Sequence, residues 1–148
     1  MAFKYSTGLR NDILDTGSLK SLLADGYLKV YSGTPPATAD AALGSAVLLN
    51  TYSDDDQGSP NGLDLDAAAA GGAIGKLAAQ TWSGTAVESG TASFFRYVKS
   101  GDDGTLSTTQ LRVQGTVGGA GADMFVQSET IVNGVLYTVD YFSLSIPV

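Results

Sequence analysis

A chain of 148 residues with 43% hydrophobic residues is long enough to form one domain with a sizeable core. It has neither cysteine nor histidine, which excludes disulfides, thiolate metal sites and the catalytic dyads and triads built on those side chains. The formal net charge of −7 and the lack of a long apolar run predict no nucleic-acid partner, no signal peptide and no membrane span.

The start of the chain predicts two short helical segments. Apolar residues recur at helical spacing over residues 9–23, and Gly17 interrupts the pattern. Ser18 is a suitable N-cap for the second segment, and Gly26 is a suitable terminator. We therefore expect residues 1–25 to form an N-terminal arm with a helical segment.

The remainder, residues 26–148, predicts a body of short strands joined by turns. The expected strands cover residues 27–31, 46–52, 77–82, 92–99, 111–117, 124–128 and 136–146. Between them, Asp66 predicts a single helical turn over residues 67–70. The fold class is therefore expected to be mainly β, a single β-sandwich or jelly-roll-like domain with a short N-terminal helical segment.

The Gly-rich segments and one aromatic segment have simple structural interpretations. Residues 101–104 and 115–121 lack the Lys-Ser/Thr ending of a phosphate-binding loop, and we interpret both as turns. In residues 94–97, aromatic residues surround Arg96, which is typical of a strand with two different faces. The acidic balance of the chain argues against base stacking by these aromatic rings.

An acidic segment over residues 54–66 raises the question of a calcium site. Its carboxylates are Asp54, Asp55, Asp56, Asp64 and Asp66. The spacing fails the EF-hand pattern, because Gly58 falls one position early and Leu65 stands where the bidentate Glu belongs. We expect a mobile, solvent-facing loop with no bound metal, and a calcium site is the alternative.

The sequence Ile-Leu-Asp-Thr-Gly at residues 13–17 is similar to the signature of aspartic proteases. In those enzymes two carboxylates share a proton and activate water, so Asp15 would be the catalytic residue of a dimer. Such an Asp lies on a tight loop after a buried strand, whereas here polar residues precede it and a helical pattern follows. A helix break capped by Ser18 is the favoured interpretation, and we expect no catalytic residue and no cofactor.

Several strand and turn segments carry a family likeness. They are residues 26–36, 90–97, 113–117, 121–123 and 141–147. Together they resemble small virion structural proteins of tailed bacteriophages, over most of residues 9–147. The resemblance implies a non-catalytic protein that is made in the bacterial cytoplasm and ends in the virion, on the capsid or on the tail.

The expected role is that of a capsid decoration or cement protein. Its partners would be the major capsid protein and copies of itself, so that a homo-oligomer is expected. A tail or head-to-tail connector component is the alternative, and a dimeric aspartic protease is a distant third. Phe3 and Tyr5 are the candidate assembly-interface residues, because these aromatic side chains have little local sequence to bury against.

Overall fold

The computed structural model describes residues 3–146 and is mainly β, which confirms the expected fold class. In chain order the elements are β1 (Lys4–Tyr5), α1 (Thr7–Asp15), α2 (Leu19–Leu23), β2 (Tyr27–Ser32), β3 (Val47–Asp54), β4 (Ala73–Gly75), β5 (Trp82–Thr85), β6 (Gly90–Thr91), β7 (Phe94–Val98), β8 (Arg112–Gly118), β9 (Met124–Phe125), β10 (Thr130–Ile131), β11 (Leu136–Thr138) and β12 (Ser143–Ser145). Among the residues described, neither helix has the length and apolar character needed to cross a bilayer.

Most of the strands form one eight-stranded sheet. Its order is β1-β8-β7-β2-β3-β5-β11, and β9 pairs with β8 in parallel while the other pairs are antiparallel. Two further pairs, β10 with β6 and β12 with β4, form separate two-stranded ribbons. The strand expected over residues 136–146 is therefore two strands in different sheets, and a sandwich or jelly-roll arrangement stays a prediction.

The two helices begin at serine N-caps. The Ser6 side chain accepts a hydrogen bond from the Leu9 amide, and Ser18 forms a reciprocal capping box with Ser21. The Ser18 prediction is thus confirmed. Leu9 at one helix and Leu23 at the other are fully buried, so both helices pack on the same core as the sheet.

Gly26 does not end α2, contrary to the expectation; the helix ends before it, with Ala24 as its C-cap. Asp25 adopts the left-handed conformation, with φ of 56°, and the Gly26 amide already donates to the carbonyl of Leu63. Glycine is required at position 26 for a different reason. A Cβ there would collide with the ring of Tyr97.

The core lies on one face of the central strands. Phe95 and Tyr97 of β7 point into it, while Phe94 and Arg96 point to the opposite face, which confirms the two-faced strand. Phe142 joins the aromatic cluster, with its ring centroid 5.4 Å from that of Phe95. This cluster connects the large sheet to the chain segment that leads into β12.

Three local expectations are wrong. Residues 67–70 contain no helical turn; the Asp66 carboxylate accepts from the adjacent Ala67 amide, and the chain turns back between Ala70 and Ala73. The strand expected over residues 77–82 begins only at Trp82, because the preceding residues form a turn. The turn expected over residues 115–121 begins only after Gly118. Gly115 lies inside β8, as the strand expected over residues 111–117 has it, and a Cβ there would come 2.7 Å from the Phe95 ring.

Candidate assembly interface

β11, the strand at one end of the large sheet, has an open side. Its register with β5 pairs Leu136 with Thr85, Tyr137 with Gly84 and Thr138 with Ser83. Just outside the strand, the Ala86 amide donates to Val135 over 2.9 Å and the Val139 amide donates to Trp82 over 2.8 Å. Because backbone groups alternate in direction along an antiparallel strand, the N–H and C=O groups of Leu136 and Thr138 point away from the sheet.

The turn that leads into β11 is held by its own hydrogen bonds. The Val135 amide donates to the carbonyl of Val132 over 3.2 Å. The Val132 amide donates to the hydroxyl of Tyr137 over 2.9 Å, and the Asn133 amide donates to Ser89 Oγ over 2.9 Å. The open edge is therefore preformed, which lowers the entropy cost of binding a partner.

The side chains around this edge are apolar and exposed. The exposed fractions are 57% for Leu136, 48% for Val132, 43% for Val135 and 79% for Tyr141. Residues 130–139 carry no charge. Natural proteins usually protect an edge strand with Lys, Pro or an inward-pointing charge, and β11 has none of these. We call β11 with residues 132–135 the β11 edge.

Phe3 and Tyr5 lie at the β1 edge of the large sheet, opposite the β11 edge. Both side chains pack against other segments of the same chain. The Phe3 ring meets Phe95 edge to face at 6.3 Å, and the Tyr5 hydroxyl donates to the carbonyl of Ser145 over 2.6 Å. Burial raises the pKa of Tyr5 to about 12. Both side chains are therefore partly buried within the chain, contrary to the expectation that they lack local contacts. Their role in assembly stays a prediction.

A buried polar layer covers the sheet face opposite the core. Arg112 forms a bidentate ion pair with Asp102, with distances of 2.6 and 2.9 Å. Arg96 donates to Gln114 over 2.9 Å and to the carbonyl of Ala41 over 2.7 Å. These bonds tie irregular chain segments to the sheet, which gives Arg96 a structural role, although its buried Nη1 has no hydrogen-bond partner among the described residues.

A second apolar surface is an open groove of about 370 Å³ beside α2. Leu19, Ile74 and Leu144 form part of its lining, and Lys20 at its rim donates to the carbonyl of Ala67 over 3.2 Å. Nothing in the described residues distinguishes one occupant from another. The groove therefore carries less information about a partner than the β11 edge.

The acidic segment faces solvent only in part: residues 55–57 and 59–61 are exposed, as its composition predicts. Leu63 and Leu65 are buried in the core. The Asp54 carboxylate accepts from the Thr81 amide, and Asp56 accepts from both the amide and the hydroxyl of Thr85. Two of the three adjacent carboxylates thus hold this segment against β5 and against the residue that precedes it, Thr81. Within residues 3–146, no three acidic side chains are grouped so that they could hold a metal ion together.

Asp15 lies in the last turn of α1 and is exposed. Its carboxylate accepts a hydrogen bond from the neighbouring Thr16 hydroxyl over 2.8 Å. An aspartic protease needs this carboxylate on a tight loop after a buried strand. The helix therefore removes the structural context on which the protease interpretation depends.

Comparisons with protein-family models, with curated proteins and with solved structures gave no match. The likeness to virion proteins therefore rests on the sequence segments alone. Sequence reasoning missed the β11 edge, because the exposure of Leu136 depends on which strands lie beside it. The only local signal was the uncharged run between Glu129 and Asp140.

Proposed function

We propose that this chain is a non-catalytic structural protein that joins a larger assembly through the β11 edge. The observation that carries the proposal is the open side of β11, where the backbone groups of Leu136 and Thr138 face away from the sheet beside exposed apolar side chains. A strand added there gains main-chain hydrogen bonds, and its side chains bury apolar surface.

The resemblance to virion proteins of tailed bacteriophages supports a place for this assembly on the phage head. In this role the chain is a decoration or cement protein, and its partner is the shell of major capsid protein. A protein that binds the intact shell stabilises it at every occupied site by mass action. A tail or head-to-tail connector component is the other position that the same resemblance implies.

The test compares two leucine-to-lysine variants. Leu136→Lys places a charge on the β11 edge, whereas Leu106→Lys changes an exposed leucine elsewhere on the chain. Heads stripped of the protein are incubated with each form, and bound protein and the heat resistance of the shells are measured. We expect Leu136→Lys to weaken binding by about tenfold or more, a loss of about 1.4 kcal/mol, while Leu106→Lys binds like the original chain.

Electron microscopy of the parent particle gives the position directly. Density for this chain on the head, together with lower shell stability after stripping, is the expected result. The cement role is wrong if the chain is found only on purified tails or if stripping leaves head stability unchanged. Equal binding of Leu136→Lys and the original chain would remove the β11 edge as the surface involved.

A further inference from the structure

We infer that the β11 edge binds the β11 edge of a second copy of this chain, in an antiparallel pair about a two-fold axis. The inference rests on the proposed function, since it takes the β11 edge as an assembly surface and names its partner. The axis passes between the two Tyr137 residues. Leu136 then lies opposite Thr138 of the second copy, and the reverse pair is identical by symmetry.

The direction of the backbone groups selects this register. The groups of Leu136 and Thr138 face outward, so each of these residues forms a hydrogen-bonded pair across the interface. Tyr137, whose backbone groups face β5, takes the non-hydrogen-bonded position on the axis. A shift by two residues in either direction pairs one end of β11 with residues outside the strand.

The side chains agree with the same register. One position beyond the strand at each end, it places Val135 opposite Val139 of the second copy, and the ladder stops there because residues 132–135 form a turn. The exposed Val135 therefore lies in the interface. No residue of this ladder, 135–139, carries a charge.

The lack of charge at the β11 edge makes it a favourable place for a second copy. Each copy has a net charge of −7, so two copies repel each other over most approaches. Residues 130–139 are uncharged, and they include β11, whose outer side is unpaired. A ladder of this length buries less than a stable interface of about 1,200 Å², so the free dimer should be weak and dependent on concentration.

Cysteine cross-linking tests the register, because the natural chain has no cysteine. Leu136→Cys and Thr138→Cys are prepared in forms of different mass and treated with a short bifunctional thiol reagent. In the inferred register residues 136 and 138 are direct neighbours with Cβ atoms about 4.5–5.5 Å apart, whereas identical positions are diagonal and farther apart. The mixed adduct should therefore exceed both self-adducts, and Leu106→Cys should give none.

A proline variant tests the backbone bonds. Thr138→Pro removes an N–H that points away from β5, so the ladder with β5 keeps its bonds while the second copy loses a donor. In sedimentation equilibrium the mass of the original chain should rise with concentration, whereas Thr138→Pro and Leu136→Lys should remain monomeric. If the proline variant fails to fold, Leu136→Lys and the cross-linking decide the question.

The outcomes separate this inference from the proposed function. A strict monomer without the mixed adduct overturns pairing with a second copy. If Leu136→Lys then still loses binding to heads, the β11 edge takes a strand of another particle protein and the proposed function stands. If the mixed adduct forms but the chain binds no particle, pairing between copies stands and the proposed function fails.

Discussion

At the scale of single residues, Arg112 and Asp102 form a buried ion pair between the sheet and its covering segments. Both side chains are almost completely buried, with exposed fractions of 0% and 3%. Arg112 also donates to the carbonyl of Thr105 over 2.8 Å. Loss of either partner leaves an uncompensated charge in the layer between the sheet and its covering segments.

We expect Asp102→Asn to lower the free energy of unfolding by about 3–5 kcal/mol, the usual cost of breaking a buried pair. Urea titration measures the change. Asp55→Asn is the matched control, because Asp55 is exposed and asparagine tolerates its left-handed conformation, with φ of 51°. A similar small effect for both variants would show that the ion pair contributes little.

At the scale of elements, the start of α1 is fixed to the segment between β2 and β3 by one carboxylate. Asp40 accepts from the Thr7 amide over 2.8 Å and from the Thr7 hydroxyl over 2.6 Å. Burial alone would raise the pKa of Asp40. The hydrogen bonds from Thr7 and the charges of Arg10 and Arg112 outweigh it and lower this pKa. The charge is also favourable at a helix N-terminus.

This lowered pKa predicts a dependence of stability on pH. The ionised Asp40 stabilises the fold above the unfolded-state pKa of about 3.9, and this contribution is lost as the pH falls through the lower folded-state pKa. In Asp40→Asn it is missing at every pH. The difference in melting temperature between the original chain and Asp40→Asn should therefore be constant near neutrality and shrink below about pH 4.

Melting curves over this pH range test the prediction, with Asp55→Asn as the same type of replacement at an exposed position. A difference between the original chain and Asp40→Asn that stays constant down to strongly acid pH would contradict it. The hydrogen bonds between Asp40 and Thr7 would then stabilise the start of α1 whether or not the carboxyl group is ionised.

The elements that the sequence predicted correctly are those with a local cause. Alternation and β-branched residues identified β2 and β8, and the cap at Ser18 follows from neighbours within the same turn. The run over residues 136–146 was predicted as one strand because its composition does not show that β12 pairs with β4. Strand order depends on long-range pairing, so neither the edge position of β11 nor the exposure of Leu136 was predictable.

The buried polar layer escaped prediction for a related reason. Residues 100–104 have the composition of a simple turn, and the sequence does not show that Asp102 lies inside the structure. Its burial follows from the contact with Arg112, which becomes possible only when β8 is paired in the sheet. The hydrogen bonds of Asp54 and Asp56 were not predictable either, because their partners lie about 30 residues away along the chain.

At the scale of the whole molecule, charge and assembly surface are separated. The net charge of −7 produces a repulsion between copies that extends over about one Debye length. The β11 edge contributes no charge to it. Electrostatic repulsion between the two negatively charged copies opposes an interface of this kind. Apolar contacts and backbone hydrogen bonds stabilise it.

Self-association should therefore become stronger as salt is added. Raising NaCl from about 0.01 M to about 0.15 M shortens the Debye length from about 30 Å to about 8 Å, which screens the repulsion and leaves the β11 contacts intact. Sedimentation equilibrium should show a larger dimer fraction at the higher salt concentration.

Leu106→Lys and Leu136→Lys both reduce the magnitude of the net charge by one. The first should dimerise at least as well as the original chain at low salt, whereas the second should remain monomeric at both concentrations. Dissociation of the dimer by salt would indicate an interface held by ion pairs, and pairing through the β11 edge would then be wrong.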